Sequence, residues 1–166
     1  EGFAVSVDSL AEDDLRLALR SGADYILSLT EHSLHLLDEG PAVPVLIPAR
    51  RGNYASLARA VRAVQAMGRP FYADPVLEPI HFGFTDSLLR YRRLRREFPD
   101  ARILMGVGNI TELTDADTTG INAVLFGIIS ELDINAVLTT AVSPHARRAV
   151  READLARRLM FAAKAD

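Results

Sequence analysis

The sequence predicts an α/β protein built on parallel strands. Three observations carry that expectation. Short, apolar, β-branched runs recur along the 166 residues, and a segment with helical spacing follows each of them. The runs are apolar on both alternating faces, as strands covered on two sides are. Polar helix starters and helix-ending glycines fall between them.

The elements follow in order. Phe3–Val7 reads as the first strand, then "LAEDDLRLALRSGA" as a helix that Gly22 closes. Asp24–Leu29 is the second strand, followed by helical "EHSLHLLDEG" ending at Gly40. Val43–Ala49 is the third. Its helix starts at Asn53 as N-cap, buries the stripe Leu57, Val61, Val64 and Met67, and stops at Gly68. Pro70–Val76 is the fourth strand. Thr85 stands where the next N-cap belongs, and Leu88, Tyr91, Leu94 and Phe98 form the inward stripe. The arginines of "RYRRLRREF" lie opposite that stripe and read as a solvated face. Arg102–Val107 is the fifth strand, with helical "TGINAVLFGIISELD" after it. Asn135–Thr140 is the sixth, and its helix opens at Ser143 with Pro144 in the first position. A spacing of roughly 20–35 residues per unit fits βαβ crossovers. Two architectures suit such units: an open doubly wound sheet, or a piece of a (βα)8 barrel. No G-x-G-x-x-G follows the first strand, which weakens a dinucleotide-binding reading.

Composition narrows the function classes. With 49% hydrophobic and 25% charged residues the chain suits one globular domain, residues 1–166, with a sizeable core. A net charge of −3 offers no basic surface for nucleic acid. There is no cysteine, which excludes disulfides, thiolate chemistry and cysteine-held zinc. No apolar run approaches the roughly 20 residues a bilayer requires. A cytoplasmic setting and a small-molecule partner are the expectation. The chain opens at "EGFAVSVDS", already inside a strand-like pattern and without an initiator Met, as a fragment of a longer protein would.

Both architectures bind ligands at the carboxyl ends of the strands. Those ends hold Asp8, Ser28, Arg50 with Arg51, Asp74, Asn109 and Thr139-Thr140, the last just ahead of His145. Each has a plain structural reading. Asp8 suits the cap of a helix beginning near Leu10, Asp74-Pro75 a turn start, and Asn109 a turn position with positive φ. His32, His35 and His81 are scattered without metal-ligand spacing, so no protein-held metal is expected. Glu112, Asp115 and Asp117 read as loop-ordering and helix-starting acids. As a set, the strand ends suit a planar donor. An ionised aspartate accepts both parallel N–H groups of a pterin- or guanine-like ring. This geometry alone does not distinguish a pterin from a sugar.

"SVDS", "GADYILSL", "ADPVLEPIHFGF" and "GVGNITELTDADTTGIN", with "VSPHARRAVREADLARRLM" at the end, resemble the pterin-binding barrel of dihydropteroate synthase. The chain is most similar to the dihydropteroate synthase-related proteins of methanopterin-using microbes, and the resemblance spans essentially its whole length. It implies a (βα)8 TIM-barrel type, with the six βα units as strands three through eight and the first two strands upstream of Glu1. It implies Asp8 and Asp74 as pterin-holding carboxylates. Ordinary folate members carry Asn-Asp where Leu27-Ser28 stand, which leaves the Ser28 hydroxyl. They carry Ser-Arg-Lys where Gly108-Asn109-Ile110 stand, and Arg-x-His where Leu138-Thr139-Thr140 stand. His145, Arg147 and Arg148, near a helix N-terminus, are then the nearest basic groups for a diphosphate, together with Arg50 and Arg51. The "GVGNIT" turn also resembles the Asn-bearing turn of pterin-dependent methyltransferases.

The resemblance implies a transferase that joins a 6-hydroxymethyl-dihydropterin diphosphate to an arylamine, in tetrahydromethanopterin or folate-type biosynthesis. Mg2+ would neutralise the departing diphosphate, and no bound organic cofactor is expected. Two alternatives stand beside it: a methyltransferase domain acting with a corrinoid partner, and a non-catalytic pterin-binding module. An α/β domain with an unrelated rim is the plain reading against all three. Six units leave the first and last strands without barrel neighbours, and exposed edges invite pairing. A homo-oligomer that completes the sheet is therefore expected, unless a longer chain does so.

Overall fold

The computed structural model describes residues 2–164. Among them six strands alternate with helices, and every strand pairing is parallel. The chain is α/β, as its alternating apolar runs and helical segments predict. Its backbone divides into two compact units, Glu1–Pro75 and Val76–Asp166.

In the first unit, strands β1 (Ser6–Asp8), β2 (Tyr25–Leu29), β3 (Val43–Leu46) and β4 (Tyr72–Ala73) form one sheet in the order β1-β2-β3-β4. Helix α1 (Glu12–Arg20) follows β1, and helix α2 (Tyr54–Ala66) follows β3. The Asn53 side chain accepts the Ser56 N–H at 3.3 Å and caps α2 as predicted. Leu57, Val61 and Val64 are fully buried. Burying such a side chain stabilises by about 1.5–3 kcal/mol. Met67 departs from the stripe: it lies past the last helical turn and is 53% exposed.

After β2 the chain forms a 3-10 helix, Leu34–Glu39, in place of the expected α-helix. Leu36 and Leu37 are still buried by it. Gly40 is extended, at φ 178 and ψ 172, because Pro41 follows and disfavours a helical residue before it. A Cβ there would lie 3.4 Å from Leu19, so the glycine serves close approach rather than a left-handed stop.

Arg69 fastens the start of β3. Its guanidinium donates to the carbonyls of Leu37, Gly40 and Ala42, the last two at 2.7 and 3.3 Å.

In the second unit, β5 (Leu104–Gly106) pairs with β6 (Ala136–Leu138), Leu104 facing Ala136 and Gly106 facing Leu138. Helix α3 (Phe84–Glu97) precedes β5, and the short α4 (Gly108–Thr111) and longer α5 (Thr118–Glu131) lie between the strands. Helix α6 (Ala149–Lys164) follows β6 and packs on α5. Asp117 caps α5, accepting the N–H groups of Thr119 and Gly120 at 3.0 Å each.

Three cap and surface expectations change. Thr85 is not an N-cap: α3 starts at Phe84, after Gly83 in a left-handed turn at φ 106. Ser143 stands at the N-cap position with Pro144 next, as read, but the helix it opens is a 3-10 helix, Pro144–Ala146, and its side chain makes no cap hydrogen bond. The arginines of α3 are not uniformly solvated. Arg95 donates to the carbonyls of Leu132, Pro99, Ala101 and Asp133 and to Asn135 Oδ1, at 2.6–3.2 Å. Arg90 lies against Glu78 at 3.6 Å, and both are largely buried.

No helix among the described residues is long and apolar enough to cross a membrane.

Candidate functional site

The first unit brings two of the expected residues together. Leu27 and Ser28 lie between Ile26 and Leu29 on β2, where only Val45 lies between Pro44 and Leu46 on β3. The extra residue is a β-bulge, a device that bends the strand and re-aims a side chain. Ser28 takes a left-handed backbone, φ 66, which costs a non-glycine residue about 1–2 kcal/mol. Its hydroxyl donates to Asp8 Oδ1 at 2.7 Å.

Asp8 does not cap α1. The N-terminal N–H group of Ala11 goes to Ser9 Oγ at 3.1 Å, and Ser9 in turn donates to Asp14. Asp8 ends β1 exposed, with Ser28 beside it.

Asp74 is 9% exposed and follows β4. Its backbone N–H donates to the Leu46 carbonyl at 2.8 Å, which extends the ladder by one residue. Pro75 has no N–H and ends it. A carboxylate buried to this degree requires hydrogen-bond or charge partners to remain ionised. Arg50 and Arg51 are exposed in the turn after β3, where the Arg50 carbonyl accepts the Asn53 N–H at 2.9 Å. Near the β2 exit, Arg59 grips Glu31 with two hydrogen bonds of 2.6 and 2.7 Å. That bidentate hydrogen bond is the main reason the Glu31 carboxyl lies below its ordinary range.

In the second unit, Val76–Gly83 is a strained loop. Val76 and His81 have positive φ, 65 and 67. A β-branched residue in that region is a true outlier. Arg90 donates to the Val76 carbonyl at 3.1 Å, and Asn109 Nδ2 donates to the Leu77 carbonyl at 2.8 Å. Asn109 is therefore not a turn residue with positive φ: it lies in α4, and its amide steadies the loop after β4. Because Nδ2 is committed to a carbonyl, the orientation of the amide is set. Asn109 presents Oδ1, an acceptor, to any ligand.

Asn109 lines a cavity of about 200 Å³ with Gly106, Gly108, Glu112, Leu113, Leu138 and Thr140. The cavity is smaller than the ~300 Å³ at which ligand pockets commonly begin, so it suits the edge of a ring. Gly108 lets the Thr140 hydroxyl come close: a Cβ would meet Thr140 Oγ1 at 3.0 Å.

Glu112 is the residue that sequence reasoning undervalued. Its Oε1 accepts from Thr140 Oγ1 at 2.9 Å and from the Val142 N–H at 2.8 Å, and its Oε2 accepts the Ser143 N–H at 2.8 Å. These donors, led by the Val142 N–H, hold its carboxyl down at about 2. The acid orders a loop, as read, but the loop is the one after β6. Nothing in the local sequence ties Glu112 to residues 28 to 31 positions away.

His145 lies in the 3-10 helix after β6, and Nε2 faces the Thr111 carbonyl at 3.0 Å. A carbonyl only accepts, so Nε2 carries the proton. Nδ1 lies 3.6 Å from Asp115. Arg147 and Arg148 are exposed in the turn before α6. Thr139 Oγ1 is buried without a hydrogen-bond partner among the described residues. Among the described residues, no three His, Cys, Asp or Glu side chains are grouped to hold a metal ion.

No known family model matches the chain. The chain is similar to an uncharacterized protein of Methanocaldococcus jannaschii, 34% identical over 180 aligned positions that take in 96% of the chain. It spans about a third, 34%, of that relative's length.

Proposed function

We propose that this chain is the pterin-binding part of a dihydropteroate synthase-like transferase, cytoplasmic, with its six βα units as strands three through eight of a (βα)8 barrel. The observation that carries the reading lies in the first unit. Asp8 and Asp74 end parallel strands of one sheet on their carboxyl side, one braced by a serine hydroxyl and the other buried. A carboxyl group buried at the end of β4 suits an N–H donor of a pterin, because a hydrogen bond strengthens as water is excluded.

The chemistry on this reading is positioning and electrostatics. The C–O bond between the 6-methylene carbon and the diphosphate breaks, and the diphosphate leaves with the electron pair. The arylamine nitrogen forms the new C–N bond and then loses its proton to the departing oxygens or to solvent. Arg50 and Arg51, exposed after β3 in the same unit, would receive phosphate oxygens. Mg2+ bound to the diphosphate oxygens would neutralise the departing charge. A second copy, or more chain, would cover the open outer edge of β6.

The test is binding of 6-hydroxymethylpterin by calorimetry. Asp74→Asn should weaken it by at least tenfold; unchanged affinity rejects the assignment.

Asn109 favours a second reading, methyl transfer from a reduced methylpterin to a corrinoid partner. Its Nδ2 is held by the Leu77 carbonyl, which leaves Oδ1 as the acceptor of a residue that lines a small cavity, as suits reading one ring edge. Methylcobalamin formation without diphosphate release would select this reading. Pterin binding without turnover in either assay would select a non-catalytic module.

A further inference from the structure

We infer that Ser28 is a positioning residue for Asp8. The inference rests on the pterin-binding reading and deepens it.

Ser28 occupies the extra position of the β2 bulge with φ 66. Glycine is the residue that fits a left-handed bulge position without a Cβ penalty. A serine here works against the backbone's own preference. What it adds is a hydroxyl, and that hydroxyl donates to Asp8 Oδ1 at 2.7 Å. In register, Asp8 faces Leu27, so Ser28 lies one residue beyond its partner on the neighbouring strand. The bulge turns Ser28 back onto Asp8. Strain retained at a strand end beside a carboxylate is the pattern expected where geometry serves a ligand.

The consequence concerns what Asp8 can read. One acceptor site of Oδ1 is committed to Ser28, which fixes the rotation of the carboxylate and aims its remaining lone pairs at a ligand donor.

Two variants and one structure test this. Ser28→Gly removes the hydroxyl and relaxes the backbone, and Ser28→Ala removes the hydroxyl alone. Each should weaken 6-hydroxymethylpterin binding about tenfold, the effect of losing a bond to a charged group. Ser28→Gly should do so with a Tm no lower than that of the parent chain, which a merely structural role would not produce. In a crystal structure of Ser28→Gly the Asp8 carboxylate should leave its present position. Affinity unchanged in Ser28→Gly, or an Asp8 carboxylate that stays in place, overturns the inference. A parent chain that binds no pterin overturns the pterin reading instead, and the Ser28→Gly structure still decides the role of Ser28.

Discussion

Glu112 accepts the backbone N–H of Ser143 at 2.8 Å, and so ties the segment after β5 to the segment after β6. Two further donors, the Thr140 hydroxyl and the Val142 N–H, complete the attachment. The loop after β6 is held by one side chain from another element.

This attachment has a defined pH signature. The Glu112 carboxyl is lowered from an ordinary 4.5 to about 2 in the folded chain. A group with a depressed folded value contributes stability that is fully present above the ordinary value and lost as pH falls through the folded one. The Tm difference between the parent chain and Glu112→Gln should therefore be largest above about pH 5 and shrink between pH 4.5 and 2. A difference that stays constant across that range would sink the assignment.

Arg95 makes a prediction about guanidinium geometry. Its five contacts, four carbonyls and one amide oxygen, use donors that only a planar fork presents together. Arg95→Ala should cost about 2–4 kcal/mol in urea unfolding, given roughly 1–3 kcal/mol for leaving part-buried acceptors unmatched. Arg95→Lys should recover less than half of that. Full recovery by lysine would mean that charge, not the fork, does the work.

Asn109 can be tested without any ligand. In Asn109→Asp a carboxylate faces the Leu77 carbonyl where an N–H now donates at 2.8 Å. The substitution should destabilise by about 1–3 kcal/mol at neutral pH, the cost of an unmatched acceptor. Acid titration should return part of the loss, because a protonated carboxyl can donate again. Equal stability of the two proteins at pH 7 would remove Asn109 from the support of the loop after β4.

Gly108 separates cavity shape from stability. Gly108→Ala gains helix propensity, about 1 kcal/mol, and must displace Thr140 Oγ1 from 3.0 Å. Net stability should change by less than about 1 kcal/mol, because the two effects oppose each other, while the Thr140 side chain moves and the cavity changes shape in a crystal structure of the variant. A Thr140 hydroxyl that stays in place would reject the close approach.

The fold class was legible because the hydrophobic pattern is local. Runs such as Val43–Leu46 and stripes such as Leu57, Val61 and Val64 carry it within a few residues. Capping was legible where the side chain acts on its own helix, as at Asn53. It failed at Thr85, where a left-handed glycine starts the helix, and held only for position at Ser143, whose N–H is taken by a distant carboxylate. The site was only partly readable for the same reason. Asp8 and Ser28 are 20 residues apart, and their contact depends on a bulge that no local pattern announces. Arg95 looked like its solvated neighbours because its acceptors are backbone atoms, which composition does not show.

Arg69 and Arg95 each grip backbone carbonyls just ahead of a strand, Ala42 before β3, Ala101 before β5 and Asp133 before β6. Each unit is thus latched on the side where its strands begin. On the side where the strands end, the loops after β4 and β6 hang on a few side chains, Arg90 and Asn109 for one and Glu112 for the other. Laboratory loop grafting should be tolerated there where these anchors are kept, and rejected on the side of the arginine latches.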